Sequence, residues 1–268
     1  MDKAKYNYVV VTGAYGGMGK EVCKLLASNG YKVFALDKQV DKKEDNIIPI
    51  RVDLADEKSV LNAFEEVKKE CSEVFAIIHF AGIYMLNSLV EMSENDFEKI
   101  IKINLYGAFC INKTFLPLLK KGSKILITTS ELAPLDPLPF TGVYALSKSA
   151  LDRYAYSLKM ELQLLDISVS VLRSGAVKTN MLGASTTALD KFTQNTKLYK
   201  VNADRFSKIV NGVEAKNISP TKIAEKAKKI IESKKPKFAY SINRNKLLLL
   251  LNALPSSLQF FIIKKILK

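Results

Sequence analysis

The sequence is poor in the residues that build metal centres and disulfide frameworks. It has 268 residues with one histidine, no tryptophan and three cysteines, Cys23, Cys71 and Cys110. The cysteines are far apart, form no CxxC pair and lie beside no plausible metal ligand. We therefore expect neither a zinc site nor a disulfide framework, and we predict no metal site. Free thiols are typical of a reducing compartment, so we also predict a cytoplasmic protein.

Acidic residues and long apolar runs are also scarce. Lys and Arg number 41 against 27 Asp and Glu, and the stretch 222–268 alone holds 12 basic and 2 acidic residues. A basic segment can suit nucleic acid or an anionic membrane, but a solvated lysine-rich face explains the helix predicted over 222–235, and we expect no nucleic-acid partner. No segment reaches the roughly 20 apolar residues that cross a bilayer, and the first apolar run is too short for a signal peptide.

The chain is rich in short β-branched segments that alternate with longer helical patterns. Strands are predicted at 8–12, 32–37, 47–53, 74–82, 123–130, 167–175 and 237–242, and helices at 18–30, 56–70, 93–119 and 143–165. Apolar strands separated by helices indicate a parallel sheet covered on both faces. We predict one doubly wound α/β domain over 1–245 with a mainly parallel seven-stranded sheet, a substrate lid at about 180–217, and an apolar and basic extension over 246–268.

A glycine cluster, "TGAYGGMG" (12–19), stands where the first predicted strand meets the first predicted helix. Gly13 permits a tight turn, while Gly17 and Gly19 let the backbone approach a pyrophosphate at the positive end of the helix. A helix N-terminus that only needs flexible residues is the alternative, and the preceding strand argues against it. The pattern therefore predicts a Rossmann-type dinucleotide site.

Aspartates end the second and third predicted strands. Asp37 can accept hydrogen bonds from both hydroxyls of an adenosine ribose and would repel the 2′-phosphate of NADP, which favours NAD over NADP. Lys38 follows directly and can soften that repulsion. Asp53 stands where a side chain can meet the adenine ring, or where it caps the following helix.

The stretch "YALSK" (144–148) places a phenol and an ammonium four residues apart on a predicted helix. Residues at this spacing share a helix face. A phenol has a pKa near 10, too high for an efficient base at neutral pH, and we expect the charge of Lys148, together with the positive charge of a bound nicotinamide, to lower the pKa of Tyr144. Taken alone, the two residues are also compatible with being mere neighbours on a helix.

Together these motifs resemble the short-chain dehydrogenase/reductase family over residues 5–245. The resemblance rests on "TGAYGGMG", "AG" (81–82), "IN" (103–104), Ser130, "YALSK" and "SGAVKT" (174–179). The run from "PLDPLPF" to "MELQLL" is similar to the branch that contains retinol- and hydroxysteroid-dehydrogenase-like members. The resemblance implies hydride transfer between a nicotinamide cofactor and an alcohol or ketone, in a homodimer or homotetramer.

The same resemblance implies roles for individual residues. Its catalytic set is Asn104, Ser130, Tyr144 and Lys148, with Tyr144 as general acid/base and Asn104 holding a water in line with Lys148. The residues that it places against the cofactor are Gly13, Tyr15, Gly17, Met18, Gly19, Asp37, Asp53, Leu54, Ala81, Gly82, Tyr144, Lys148, Val177 and Thr179.

Three features depart from the family pattern. "HFAG" puts His79 and Phe80 where the family has two asparagines, and Ser174 replaces the usual proline before Gly175. Ser130 lies one residue farther from Tyr144 than usual, and an ungapped alignment puts Glu131 in its place. We favour a one-residue insertion in the loop 134–139, because Ser130 ends the fifth predicted strand and its hydroxyl can donate to a carbonyl oxygen. The departures also support an alternative, a catalytically silent nucleotide-binding scaffold or sensor.

The residues expected on the substrate side are mostly apolar, namely Leu132, Leu135, Leu138, Phe140, Tyr84 and Met85. They suit a small apolar alcohol or ketone that is steroid-, retinoid- or long-chain-like. The extension "LLLLLNALPSSLQFFIIKKILK" (247–268) allows two interpretations. Its segment 256–268 is either an interfacial helix that makes peripheral contact with an anionic membrane, or a helix that packs on a partner subunit or beside the substrate mouth.

Overall fold

A computed structural model describes residues 7–213 and 217–268, without the side chains of residues 180–186 and 213. Within these residues the strands form one seven-stranded sheet in the order β3-β2-β1-β4-β5-β6-β7, and every neighbouring pair is parallel. The strands are β1 (Tyr8–Thr12), β2 (Lys32–Asp37), β3 (Ile47–Arg51), β4 (Val74–His79), β5 (Leu119–Thr128), β6 (Ser168–Ser174) and β7 (Ala239–Ile242). The predicted doubly wound α/β fold is confirmed.

Helices fill the connections between the strands and continue beyond β7. They are α1 (Gly17–Ser28), α2 (Glu57–Glu70), α3 (Glu94–Ile101), α4 (Gly107–Phe115), α5 (Gly142–Leu162), α6 (Asn180–Asn195), α7 (Lys200–Val213), α8 (Pro220–Ile231), α9 (Lys246–Asn252) and α10 (Ser256–Leu267). The single helix predicted over 93–119 is interrupted. A π-helical turn, Lys102–Tyr106, joins α3 to α4, and a 3₁₀ turn, Leu116–Leu118, follows.

The two sides of the sheet carry separate halves of the core, because successive strand residues point to opposite faces. Val9 and Val11 of β1 are buried in one cluster with residues of α1 and α8. Val10 is buried in the other, with residues of α2, α4 and α5. Helices on both faces explain why these strands are almost continuously apolar rather than alternating.

Strand order reverses between β1 and β4, and this position determines where a ligand can bind. The chain passes from β1 outward to β2 and β3, then returns to place β4 on the other side of β1. Such a reversal opens a crevice beyond the carboxyl ends of the strands. Strands β3, β4 and β5 end two or three residues earlier than predicted, at Arg51, His79 and Thr128. Asp53, Ala81, Gly82 and Ser130 consequently lie in loops beyond the strand ends.

The predicted lid over 180–217 contains α6 and α7, and its side chains at 180–186 and 213 and its residues 214–216 lie outside the part described. The remainder packs in a cluster of its own, where Phe192 and Phe206 are buried with Leu86 and Leu267. Leu267 belongs to α10, so the C-terminal extension is part of this small second core. Residues 1–6 of the predicted domain also lie outside the described part.

Candidate active site

The glycine loop after β1 has a shape that excludes side chains. Gly13 has a φ of +66°, in the left-handed region. A Cβ there would lie 2.5 Å from the backbone nitrogen of Ala81, so the loop packs directly on the residues that follow β4. A Cβ at Gly17 would lie 2.7 Å from the Cβ of Thr179, at the start of α6. These close approaches bring three segments of the predicted cofactor set together.

The N-terminus of α1 faces this loop without a side-chain cap. Gly16 is the N-cap residue and makes no side-chain hydrogen bond. The first N–H groups of a helix have no partner within it, and together with the helix dipole they favour an anion. A Cβ at Gly19 would lie 2.9 Å from the Cα of Ala14. Gly19 is therefore needed for packing of the helix on the loop, and its approach to a pyrophosphate stays a prediction.

Asp37 lies at the end of β2 with its carboxylate directed at the glycine loop. Its oxygens accept hydrogen bonds from the backbone nitrogens of Tyr15, at 2.9 Å, and Lys38, at 2.7 Å. The Lys38 ammonium turns away and pairs with Asp53 at 2.7 Å. Within the residues that the structure describes, Asp37 has no ion-pair partner, so its negative charge is available to a ligand.

Asp53 does not cap the following helix. Its Oδ1 accepts from the backbone nitrogen of Ala55 at 3.0 Å, and Asp56 is the residue that caps α2. The Lys38 hydrogen bond, helped by that of Ala55, lowers the pKa of the Asp53 carboxyl. The helix-capping alternative for Asp53 is therefore wrong, and its carboxylate pairs with Lys38, while its place against the adenine ring stays a prediction.

The other predicted cofactor residues surround the same crevice. Tyr15 and Met18 pack on the α1 side of the core, and Leu54 packs against Gly107 on the α4 side. Val177 forms an isolated parallel bridge with Ile218, and Thr179 Oγ1 donates to the Val177 carbonyl at 3.4 Å. The shape, the uncapped helix end and the free carboxylate fit a dinucleotide cofactor.

Asn104 is buried in the π-helical turn and binds the loop that follows β4. Its Oδ1 accepts from the nitrogen of Ile83 at 2.8 Å, and its Nδ2 donates to the Ile83 carbonyl and to Ser147 Oγ, each at 3.0 Å. Ser147 in turn donates to the Tyr144 carbonyl at 2.8 Å. Asn104 therefore ties the β4 loop to α5. Sequence reasoning missed Ser147, although it lies within "YALSK".

Ser130, Tyr144 and Lys148 come together where β5 ends beside α5. The Ser130 hydroxyl lies close enough to Tyr144 to lower the pKa of its phenol, and it accepts from the backbone nitrogen of Leu132 at 3.2 Å. The Lys148 nitrogen lies 5.9 Å from the centre of the Tyr144 ring and donates to the Thr128 carbonyl at 3.4 Å. All three side chains are buried. A Cβ at Gly82 would lie 3.3 Å from the Lys148 nitrogen and 3.2 Å from Asn104 Oδ1, so the predicted catalytic set occupies one place.

Burial sets the proton affinities of this group. It raises the pKa of Tyr144 to about 12, with the Ser130 hydrogen bond opposing the rise, and it lowers the pKa of Lys148 to about 8. Our expectation that Lys148 lowers the phenol pKa is not met in the protein alone. Desolvation disfavours the charge on both groups and outweighs their mutual attraction.

Glu131 follows Ser130 but points away from Tyr144. Its Oε2 accepts from the backbone nitrogen of Asn245 at 2.6 Å, just before α9, and burial raises its pKa. Asn245 caps α9 by accepting from the nitrogens of Leu247 and Leu248. The residue next to Tyr144 is thus Ser130, and Glu131 connects the active-site loop to the C-terminal extension.

A buried ion pair missed by sequence reasoning supports the same region. Asp152 lies one helical turn after Lys148 and binds Arg173 of β6 through both oxygens, at 3.0 and 2.7 Å. Asp152 Oδ1 also accepts from Thr129 Oγ1 at 3.1 Å. Thr129 follows Thr128, whose carbonyl accepts from Lys148, and it precedes Ser130. The repeated four-residue spacing of Tyr144, Lys148 and Asp152 is the signal that could have revealed it.

His79 is a structural residue at the end of β4. Its ring nitrogens lie 3.4 Å from Thr12 Oγ1 and 2.9 Å from Asn112 Oδ1, and Asn112 donates to the Tyr154 hydroxyl at 3.2 Å. Burial lowers the pKa of His79 to about 4. The ring is therefore neutral at neutral pH and joins β1, β4, α4 and α5.

An apolar cavity of about 820 Å³ lies between the loop 136–142 and α10. Leu138, Phe140 and Tyr199 line it, with Phe260 and Ile263 from the extension. Phe140 has a φ of +67°, and its ring packs on Phe192, Tyr199 and Phe206. The loop that leads into α5 is thereby anchored in the lid cluster. Tyr84, on the other side, packs on Tyr144 with ring centres 4.7 Å apart.

Comparison with known proteins agrees with this geometry. The family model described as short chain dehydrogenase matches residues 7–190. Estradiol 17-beta-dehydrogenase 2 of Mus musculus is 29% identical over 190 residues, which cover 66% of this chain and 49% of that protein. The chain thus spans about half the length of that relative. The probable short-chain type dehydrogenase/reductase VdlC of Helicobacter pylori is 27% identical, with 92% and 93% covered. The chain belongs to the short-chain dehydrogenase family, whose members are nicotinamide-dependent oxidoreductases.

A further relative and a solved structure add detail. The 3-ketodihydrosphingosine reductase of Bacteroides thetaiotaomicron is 24% identical, with 86% of this chain and 85% of that protein covered. A short chain dehydrogenase family protein from Francisella tularensis has a TM-score of 0.75 at 22% identity, covering 88% and 97%.

Two further solved structures carry different cofactors. The 3-ketoacyl-(acyl-carrier-protein) reductase from Brucella melitensis, complexed with NADH, has a TM-score of 0.72 at 18% identity, covering 88% and 96%. A short chain dehydrogenase from Burkholderia cenocepacia in complex with NADP has 0.74 at 18%, covering 96% and 97%. The fold therefore accepts either cofactor.

Over 7–213 and 217–268, no group of three or more His, Cys, Asp or Glu side chains is arranged to hold a metal ion. No helix in these two stretches combines the length and apolar character needed to span a membrane.

Proposed function

We propose that the chain interconverts an apolar secondary alcohol and its ketone, with Tyr144 as general acid/base and NAD preferred over NADP. The observation that carries the proposal is the buried cluster of Ser130, Tyr144 and Lys148 beside Gly82 and Asn104. A phenol, a hydroxyl and an ammonium converge there, at the edge of a crevice that fits a dinucleotide.

The preference for NAD rests on Asp37. Its carboxylate accepts from the backbone N–H groups of Tyr15, Lys38 and, at 3.5 Å, Gln39, and it keeps lone pairs for ribose hydroxyls. A 2′-phosphate placed there would meet an uncompensated negative charge. Lys38, the residue expected to soften that repulsion, is engaged by Asp53.

The residues of the chain supply proton transfer and orientation. The nicotinamide ring, when bound, supplies the carbon that accepts or gives the hydride. In ketone reduction, the protonated Tyr144 hydroxyl donates its proton to the carbonyl oxygen while Ser130 donates a hydrogen bond to the same atom. In alcohol oxidation, Tyr144 accepts the hydroxyl proton. The Lys148 ammonium stabilises the phenolate that exists during the reaction.

The substrate class follows from the surroundings of Tyr144. Tyr84 packs on the phenol, and the 820 Å³ cavity, whose described lining includes Leu138, Phe140 and Gly142 but not Tyr144, offers mainly carbon surface beside the start of α5. Estradiol and 3-ketodihydrosphingosine, the substrates named for two relatives, are also largely apolar. A steroid-, retinoid- or long-chain-like alcohol or ketone suits this environment.

The test is removal of one phenol oxygen. Tyr144→Phe should lower kcat about 1,000-fold on any accepted substrate, because proton transfer by a positioned side chain contributes about that much. Tyr156→Phe is the matched control, since Tyr156 lies on the same helix and is half exposed. We expect it to keep wild-type turnover. Full activity of Tyr144→Phe would disprove the assigned mechanism.

The silent scaffold is not favoured by these findings. Its support was the "HFAG" sequence and the shifted Ser130. His79 is accommodated by Thr12 and Asn112, Ser130 reaches Tyr144, and Glu131 turns to Asn245. A screen of apolar alcohols and ketones, with NADH absorbance as the readout, tests the proposal against this rival. Turnover of even one compound would exclude the silent scaffold.

A further inference from the structure

The C-terminal extension presents a large apolar surface to solvent. Six of its side chains are at least 41% exposed, namely Leu247, Leu250, Leu258, Phe260, Phe261 and Ile266. No residue of α9 is buried. Exposed apolar surface of this extent normally has a partner. Leu248, Leu249 and Leu251 are partly covered, whereas Leu247 and Leu250 stay exposed in the single chain.

The orientation of this surface is fixed by the opposite face of α10. Gln259 and Leu267 are buried, and Gln259 Nε2 donates to Asp136 at 3.2 Å and to the Leu254 carbonyl at 2.9 Å. Asn202 of α7 donates to the Leu267 carbonyl at 2.7 Å. The helix therefore lies against the lid with Phe260 and Phe261 directed outward. These contacts fix the rotation of α10 about its own axis.

The charge of the extension selects among partners. Residues 244–268 contain five basic residues and no acidic residue. Lys264, Lys265 and Lys268 make no salt bridge within the part of the chain that the structure describes. Two copies that met symmetrically through this surface would bring like charges together. Apolar side chains beside uncompensated lysines instead complement an anionic lipid surface.

The cavity opens on this same surface. Phe260, Lys264 and Lys268 all line it, while Phe260 remains 72% exposed. A side chain that lines a cavity and is mostly solvent-exposed lies at its mouth. The opposite wall is the loop 136–142, which leads into α5 and Tyr144.

We infer that α9 and α10 dock the protein on an anionic membrane surface and hold the mouth of the cavity against the lipid. Phe260 and Phe261 insert among the acyl chains, and Lys264, Lys265 and Lys268 contact the head groups. An apolar substrate then passes from the bilayer into the cavity without crossing water. The docking stands on the extension alone, whereas the entry route rests on the proposed function.

Co-sedimentation with vesicles tests the docking. The full chain should bind vesicles of phosphatidylcholine and phosphatidylglycerol in equal parts at low salt, bind phosphatidylcholine alone much less, and detach at high salt. Phe260→Ser with Phe261→Ser should weaken binding roughly 100-fold, since two aromatic side chains lose their apolar burial. Replacing Lys264, Lys265 and Lys268 by Gln should weaken it by a similar factor.

Matched controls remove equal surface or charge elsewhere. Leu164→Ser with Leu165→Ser changes two exposed apolar residues after α5, and Gln at Lys58, Lys69 and Lys113 removes three charges from α2 and α4. Both controls should bind vesicles as the wild type does. Absence of wild-type binding, or equal loss in the controls, overturns the inference. The inference is also overturned if the wild type is a dimer that does not bind vesicles, and if sedimentation velocity shows that Phe260→Ser with Phe261→Ser dissociates this dimer.

The entry route is tested with two ketones once a turnover assay exists. The Phe261→Ser, Ile266→Ser protein, whose changed residues are exposed and do not line the cavity, should lose turnover of a long-chain ketone dissolved in the vesicles and keep turnover of a short water-soluble ketone. Equal rates with the vesicle-borne ketone for wild type and variant overturn the route. Vesicle binding without turnover of any alcohol or ketone leaves the docking intact and refutes the proposed function instead.

Discussion

Tyr144 and Lys148 are both buried, and burial opposes the charge on each. The pKa of Tyr144 is about 12 and that of Lys148 about 8. At neutral pH the phenol is therefore protonated and is ready to donate to a ketone. Alcohol oxidation needs the phenolate, which is scarce until the pH rises or the cofactor's charge favours it.

This predicts which direction of the reaction depends on pH. Because oxidation releases a proton, the ratio of kcat/KM for oxidation to that for reduction must rise tenfold per pH unit. With the Tyr144 pKa above the working pH, oxidation carries that dependence: kcat/KM should rise about tenfold per unit from about pH 6 to 8, while reduction stays flat. Above the Lys148 pKa the rise should flatten, as the ammonium loses its charge. A flat oxidation profile with a falling reduction profile would place the phenol pKa below the assay range.

Asp37 is the residue on which cofactor choice depends. In the wild type we expect tighter binding of NADH than of NADPH, because the carboxylate faces the ribose and Lys38 is paired with Asp53. Asp37→Ser should bring the two dissociation constants about tenfold closer, since one charge repulsion of about 1.4 kcal/mol is removed. Fluorescence titration measures both constants. Asp41→Ser removes a charge four residues away that is paired with Lys20, and it should change neither. Equal affinities in the wild type would contradict the prediction.

At the scale of elements, the junction of β5, β6 and α5 determines how precisely the reacting groups are placed. Asp152 holds Arg173 and Thr129, and the neighbours of Thr129 contact Lys148 and Tyr144. The ion pair therefore acts as a clamp between the helix that carries Tyr144 and the strand end that carries Ser130.

Asp152→Asn should lower both stability and kcat. We expect a loss of about 2 kcal/mol in the free energy of unfolding, because a charge-assisted bidentate contact is removed and Arg173 stays largely buried. Asp166→Asn, which breaks the exposed pair with Lys121, should cost less than about 0.5 kcal/mol. Urea unfolding measures both. A positioning role further requires kcat to fall while the NADH dissociation constant stays unchanged; loss of stability with wild-type kcat would make Asp152 purely structural.

Sequence patterns predicted these elements unevenly, for physical reasons. The buried strands were found because their apolar runs reflect cover on both faces, as in β2, placed at 32–37. The predicted ends of β3 and β4 are too late because the apolar residues Val52, Phe80 and Ala81 continue into the loops, and that of β5 is too late because the β-branched run continues to Thr129. The π-helical turn around Asn104 has no local signature. Gly13, Tyr144 and Lys148 were recognisable by spacing, whereas the contacts of Asp152 and Glu131 depend on residues more than 20 positions away.

Across the whole molecule, long-range contacts join parts that the sequence separates. Glu131 binds Asn245 and Asp136 binds Gln259, so the loop between Ser130 and Tyr144 is held twice by the C-terminal extension. The extension is consequently a wall of the proposed substrate compartment. A simple truncation would disturb that compartment together with the exposed surface, which is why substitutions on the outer face of α10 discriminate better.

The single histidine couples the stability of the whole fold to pH. The pKa of His79 is about 4 in the folded chain, against about 6.5 for an unperturbed imidazole. The unfolded chain therefore takes up a proton below pH 6.5 that the folded chain refuses, so stability is fully present above that pH and is lost as the pH falls toward 4. Between about pH 6.5 and 5 the loss should be about 2 kcal/mol, as one pKa unit corresponds to about 1.4 kcal/mol.

His79→Asn should remove that loss while retaining an amide able to bond with Asn112. Its absolute stability will be lower if the smaller side chain packs less well, but the readout is the slope of unfolding free energy against pH from urea titrations. Burial raises the pKa of Glu131, so this group increases the free energy of unfolding as the pH falls. The increase is the same in the wild type and the variant, and it cancels in the difference between their slopes. Identical slopes for wild type and variant between about pH 6.5 and 5 would show that His79 is protonated in the folded chain, and that the Thr12 and Asn112 contacts sustain a charged ring.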